Sequence, residues 1–270
     1  MPRGRPRVYQ GPLRRGERSA RVPTSGRGLN KTEQVQTKAI ATRVVNRKIE
    51  TKQRAWQINS LYTLFHNKQA ILFGTTTNGG LLELLQQGAS TSQHLTSRPH
   101  PVESTPLNDA GYLREGNKVR CSSVHLNLNV NTAIDRQGTK LRCIMFWYPV
   151  GHDTTWSDLV ADSGMTSTNY NQLLIPINRN SRCKVFMDKV ITLGKAGAGG
   201  NNNYQSTTMI KLRKNFKGGK NIVYNSDISS KTPDRWNIGF ACVAFNNNQA
   251  LTTDQVAFFE YSGNMYFKDA

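Results

Sequence analysis

The chain has 270 residues, 36 Lys/Arg against 17 Asp/Glu, and a formal net charge of +19. That length can bury a real core, in one large domain or two small ones. The charge points to a polyanionic partner, and no window approaches the ~20 apolar residues that a membrane-spanning helix needs.

The charge is not spread evenly. Residues 1–54 carry 15 Lys/Arg and 3 Asp/Glu, a net of +12, whereas residues 55–270 carry 21 and 14, a net of +7. The first 28 residues, MPRGRPRVYQGPLRRGERSARVPTSGRG, hold eight arginines, no lysine and one carboxylate, Glu17. Rich in Arg, Gly and Pro, residues 1–30 cannot supply a core and are expected to be disordered without a partner. The arm is not followed by an apolar h-region, so no signal peptide is expected. Synthesis is read as intracellular, with reduced thiols. Residues 31–54, KTEQVQTKAIATRVVNRKIETKQR, place Val35, Ile40, Val44, Val45 and Ile49 at roughly helical spacing. Their β-branched content works against a helix, so a partly helical segment is expected. A sequon, Asn30-Lys31-Thr32, lies here.

Arginine is always charged and grips phosphate bidentately, and Gly and Pro keep the backbone open. The nucleic-acid-binding candidates are therefore Arg3, Arg5, Arg7, Arg14, Arg15, Arg18, Arg21, Arg27, Arg43, Arg47, Lys48, Lys52 and Arg54. Such contacts go to phosphate, carry no base sequence and weaken steeply with salt. A solubilising tail or a nuclear localisation signal is the plainer reading of the same arginines.

From Ala55 the texture changes to short β-branched and aromatic segments between Gly/Asn/Ser/Thr/Pro stretches. Eight strands are predicted: 55–66, 117–130, 140–149, 182–194, 206–216, 220–226, 235–246 and 255–268. Val124, Leu126, Leu128 and Val130 alternate with His125, Asn127 and Asn129, a strand with one wet face. A bulge or bend is expected around Asp188-Lys189. Lys217-Gly218-Gly219-Lys220 reads as a turn between two strands. A short helix is expected around TWSDLVADSG (155–164), capped by Thr155 or Ser157. Two long polar loops, 88–116 and 194–205, read as surface features. The fold class that fits is all-β, a single jelly-roll or sandwich domain over 55–270 behind the basic arm 1–54.

Catalytic and metal chemistry finds little support. Cys121, Cys143, Cys183 and Cys242 form no CxxC pair and sit in apolar runs, as small buried hydrophobes do. His66, His94, His100, His125 and His152 form neither HxxxH nor HExxH, and GKAGAGG lacks the GxxxxGK[ST] order of a phosphate loop. No catalytic residue, metal ligand or cofactor is assigned, and no enzymatic activity is expected.

Several segments, taken in order, resemble the coat proteins of small circular single-stranded DNA viruses that encode a replication initiator, including geminivirus coats, and also satellite tobacco necrosis virus coats. They are LLQQG (84–88), REGNKVRCSSVHLNLNV (114–130), KLRCIMFWYPVG (140–151), RCKVFMDKVITLG (182–194), IKLRKNFKGGKNIVYNS (210–226), RWNIGFACVAFN (235–246) and YSGNMYFKDA (261–270). The most specific are 182–194, with its central Asp-Lys, and 210–226. The resemblance implies one eight-stranded jelly roll that self-assembles into a T=1 icosahedral shell. About 60 copies at +12 per arm place roughly 720 positive charges inside. That is comparable with a genome of about one to two thousand nucleotides. The implied partners are other copies of the chain and a single-stranded DNA or RNA genome, circular DNA on the resemblance. Host nuclear import machinery and a cell-surface receptor follow as further partners, with no membrane insertion. The implied location is the virion, with passage through the host nucleus during assembly. A cellular jelly-roll binding module with a basic tail is the alternative.

Overall fold

The structure, a computed structural model, describes residues 30–48, 51–57, 61–84, 114–132, 136, 138–161, 170–193, 206–225, 231–247 and 250–270. Arg3 through Arg27, His94, His100, most of the loop 88–116 and the loop 194–205 lie outside the described residues. The chain divides into two units, 1–50 and 51–270.

In the first unit, helix α1 spans Lys31–Lys48. The Asn30 side chain accepts from the Glu33 N–H at 2.9 Å, and the Glu33 carboxylate accepts from the Asn30 N–H at 3.0 Å. This reciprocal cap satisfies donors that the first turn leaves orphaned, worth about 1 kcal/mol. It is the local reason that the sequon asparagine opens the helix. The helical reading of 31–54 extends over 31–48 and gives way to strand at Lys52.

The second unit holds β1 (Lys52–Gln57), β2 (Tyr62–Phe65), β3 (Gln69–Phe73), β4 (Lys118–Thr132), β5 (Lys140–Pro149), α2 (Trp156–Leu159), β6 (Lys184–Thr192), β7 (Ser206–Val223), β8 (Trp236–Phe245) and β9 (Gln255–Asp269). Every strand pairing is antiparallel. β1 lies along residues 262–267 of β9 and β2 along 255–259, so the two share one edge. The sheets are β1/β2–β9–β4–β7 and β3–β8–β5–β6, which makes eight strand positions, four in each sheet. The chain changes sheet at every connection from β2 onward except β5 to β6. That is an eight-stranded jelly roll.

Hydrophobic patterning explains the layers. In β4, Val124, Leu126, Leu128 and Val130 are fully buried while His125, Asn127 and Asn129 lie on the other face. They meet Phe73, Leu212, Phe240, Phe259 and Phe267 between the sheets. Each such side chain contributes about 1.5–3 kcal/mol of burial. The second sheet is buried on both faces. Leu141, Cys143 and Met145 of β5 face the first sheet, whereas Ile144, Phe146 and Tyr148 face a second cluster with Trp156, Leu159 and Ile175. Hence KLRCIMFWYP and WNIGFACVAF read as continuous apolar runs. Gly239 lies directly opposite Phe146, where a Cβ would stand 2.3 Å from its ring.

Arg142 fastens the segment that covers this outer face. It is 3 % exposed. Its Nε and Nη2 donate to the two Asp188 oxygens at 2.9 and 2.8 Å, and Nη1 donates to the Gln172 and Ile175 carbonyls at 2.8 and 2.7 Å. The central Asp of β6 is thus one half of a bidentate pair.

Four expectations change. Residues 206–216 and 220–226 do not form two strands. β7 runs through them, and Phe216–Gly219 bulge out opposite Ser122. Gly218 and Gly219 take positive φ, so the turn chemistry is real, but the chain resumes pairing with β4 beyond it. Arg120 donates its Nε to the Gly218 carbonyl at 2.7 Å and holds the bulge. The predicted strand 55–66 is two pieces, β1 and β2, and β3 follows where no strand was expected. The bulge in β6 falls at Phe186, two residues before Asp188. Arg114, at the end of the polar loop 88–116, is fully buried, its guanidinium 4.8 Å from the Tyr224 ring centre and donating to the Asn225 carbonyl at 3.1 Å.

All four cysteines are buried and free. Burial pushes the Cys121 and Cys143 thiols up to about 12 and Cys183 to about 11. His66 is buried, and its Nδ1 accepts from the Asn246 N–H at 3.1 Å. Burial, opposed by Asp254 and aided by Arg136, lowers its pKa below the ordinary 6.5. The neutral ring is therefore favoured in the fold. Its contribution to stability is full above pH ~6.5 and is lost as pH falls through the lower folded value. Urea midpoints between pH 8 and 5 are expected to fall toward acid. The fall should be shallower in His66→Gln, which keeps an acceptor; parallel pH profiles would contradict this account.

Candidate nucleic-acid interface

Arg43, Arg47 and Lys48 fall on α1, and Lys52 and Arg54 on β1. Lys52 is engaged within the protein. Its Nζ lies 2.8 Å from Glu115 and 2.6 Å from Asp269, and its side chain is 11 % exposed. Burial opposes its charge, but hydrogen bonds to Asp269 and Glu115 outweigh it and hold the pKa above the ordinary lysine value. Lys52 thus ties β1 to the end of β9, which is a structural role.

Two other basic groups come from β7. Its alternation turns Ile210 and Leu212 inward, so Lys211 and Arg213 are exposed on the outer face of the first sheet. Arg213 stands opposite His125. Burial and then Arg213 lower the His125 pKa. Lys214 and Lys220 have the inward parity, but they lie where the sandwich opens and reach across to the second sheet.

There they meet aromatic rings. Lys220 Nζ lies 3.6 Å from the Trp147 ring centre, Lys214 Nζ 4.8 Å from Phe186 and Lys184 Nζ 5.7 Å from Trp236. Trp147 also packs against Phe186 and Phe216, each with ring centres 5.8 Å away. A cavity of about 390 Å³ opens beside them, bounded by Trp147, Lys220, Ile222, Asp234, Arg235 and Trp236. Among the described residues, Lys184, Lys214, Lys220 and Arg235 form no ion pair. Burial and then the neighbouring Lys214 depress the Lys220 pKa. The sequence alone places Lys220 in a turn and, with Lys211, Arg213, Lys214 and Lys217, in a set that either adds a weaker phosphate contact or lies on a solvated outer face; it does not reveal this rim. The rim needs β5, β6, β7 and β8 together, so no local pattern in the sequence records it.

One group of metal-ligating type occurs among the described residues. His152, Asp158 and Cys183 bring one ligand atom each within 4.8 Å of one another. Hydrogen bonds account for the arrangement. Asp158 Oδ2 accepts from the Thr155 N–H and hydroxyl, both at 2.9 Å, and lies 3.2 Å from His152 Nε2. Burial raises the Asp158 pKa, but these contacts outweigh it and hold the carboxyl below its usual value. Thr155 and Asp158 cap α2, so of the two candidates in the sequence, Thr155 and Ser157, the N-cap is Thr155. No helix among the described residues is long and apolar enough to cross a membrane.

The fold and the rim define a class: a jelly roll with an apolar core and a cationic, aromatic edge. No protein-family model matches the sequence, and no curated protein matches it. Solved structures similar to the chain come from viruses. One is from Desmodium yellow mottle tymovirus, with 10 % identity, 82 % of this chain and 87 % of that chain covered, and TM-score 0.33. Another is from turnip yellow mosaic virus, with 9 % identity, coverage of 82 % and 94 %, and TM-score 0.34. A third is from mud crab dicistrovirus, with 12 % identity, coverage of 78 % and 70 %, and TM-score 0.30.

Proposed function

We propose that the chain is a viral coat protein of the small circular single-stranded DNA virus kind. Copies of the jelly roll self-assemble into a closed icosahedral shell, in the simplest case of about 60 copies. The Arg-rich arm neutralises the packaged single-stranded genome. The protein then resides in the virion and passes through the host nucleus during assembly, with import machinery and a cell-surface receptor as host partners. The carrying observation is the eight-position jelly roll, four strand positions in each sheet, packed on a core that includes Leu126, Phe73, Phe240, Phe259 and Phe267. The eight arginines of residues 1–28, with no carboxylate but Glu17, support the packaging half.

Purified protein is expected to form uniform closed particles near neutral pH, read by light scattering and negative-stain electron microscopy. A stable monomer across salt and pH would overturn the reading and favour a cellular binding module with a basic tail.

A further inference from the structure

We propose that the rim between β5, β6, β7 and β8 is a second binding site, for a single unpaired nucleotide. Its base stacks on Trp236, and its phosphate is held by Lys220 and Arg235. The inference rests on the packaging reading only in sharing a ligand class, because its residues lie far from the arm in sequence and require no shell.

Size comes first. The cavity is about 390 Å³. That is at the small end of the roughly 300–1,000 Å³ of ligand pockets, so it suits one nucleotide and not a duplex. Chemistry comes next. Single-stranded nucleic acid is held by cations that track phosphate and by rings that stack bases. Both occur here on one wall. Trp147 is already engaged, with Lys220 against its ring and Phe186 and Phe216 packed beside it. Trp236 has Lys184 Nζ 5.7 Å from its ring centre but, among the described residues, no ring packed against it, and it is 37 % exposed. Trp147 therefore acts as the support that positions the ammonium, and Trp236 is the ring left to stack.

Charge points the same way. Lys184, Lys214, Lys220 and Arg235 have no carboxylate partner among the described residues, unlike Lys52 and Arg142. Burial and then the neighbouring Lys214 work against the charge on Lys220, a cost that an anion beside it relieves. Asp234 is the one carboxylate of the cavity wall among the described residues. It leaves the wall net positive and offers an acceptor to a base amino group.

The test titrates full-length protein with dAMP, 2-deoxyribose 5-phosphate and inorganic phosphate, following tryptophan fluorescence at about 0.5 M salt, where arm contacts are weak. Saturable quenching by dAMP alone is expected. Base stacking of ~1–3 kcal/mol corresponds to a loss of roughly 5- to 150-fold in Trp236→Leu. Lys220→Met should weaken dAMP binding and flatten its salt dependence, with circular dichroism unchanged. Equal binding of deoxyribose phosphate, or no dAMP binding, would overturn the site. Loss of particles with full dAMP affinity in Trp236→Leu would also overturn it, by making this rim a contact between copies. Intact dAMP binding in a protein that never forms particles supports the site while sinking the coat-protein reading.

Discussion

Removing residues 2–28 is expected to strip most nucleic acid from purified particles and leave the jelly roll folded. The folding half rests on where the core lies. Among the described residues, every buried apolar side chain of the core falls at or beyond Leu64, and the first sheet begins at Lys52. The binding half rests on charge. Residues 2–28 hold all eight arginines of the arm's densest stretch. If each meets one phosphate, log affinity for single-stranded nucleic acid falls against log salt with a slope near −0.7 × 8, roughly −5 to −6. Base sequence should matter little to that slope, because the contacts are to phosphate. Deletion should flatten it to the residue left by Lys211, Arg213 and the rim lysines. Filter binding across a salt series, beside the cargo content of purified particles, measures both halves. An unchanged slope with unchanged cargo would show that packaging lies elsewhere.

Replacing Arg142 with Ala is expected to cost about 2–4 kcal/mol of stability. Four hydrogen bonds leave together: two to Asp188 and one each to the Gln172 and Ile175 carbonyls. Asp188 is 31 % exposed, so water recovers part of its loss, and the carbonyls carry the larger penalty. Gln172 is central to the cover over the second sheet. Its side-chain oxygen accepts from Trp156 Nε1 at 2.7 Å, and its N–H donates to Asn67 Oδ1 at 2.9 Å. Losing Arg142 therefore loosens one corner of a three-way anchor above Ile144 and Phe146. Arg142→Met keeps much of the volume and should recover little, since it supplies no donor. Asp188→Asn keeps an acceptor and should cost less than either. Urea unfolding of the three variants measures the order. An Arg142→Ala loss below about 1 kcal/mol would show that the cover is held by apolar packing alone.

Much of the fold was legible because burial leaves a period in the sequence. The alternation at 124–130 marked β4, and the unbroken apolar runs at 140–149 and 235–246 marked two strands of a sheet buried on both faces. The strand pair β1 and β2 was not separable, because what divides them is their placement along one edge of β9, and no local residue records that. β3 is five residues long and follows β2 closely, so its apolar run merged with its neighbour. The glycines at 218–219 announced a reversal correctly, but whether a chain that turns begins a new strand or rejoins the old one depends on the partner strand.

By itself the sequence determined the all-β class, the burial of the four thiols, a short capped helix near Thr155 or Ser157 and the concentration of charge before the first strand. These follow from local propensity, hydrophobic period and composition, which each residue carries wherever it is placed. Only the tertiary structure decided which charges are used up and which remain. Lys52 is neutralised by Glu115 and Asp269, residues 63 and 217 positions away, and Arg142 by Asp188 together with two carbonyls of the cover. Lys220 instead finds an indole from another sheet and, among the described residues, no carboxylate. Electrostatic partnership is set by distance in space, so a list of basic residues names the charge of a protein while the fold alone selects where it is available.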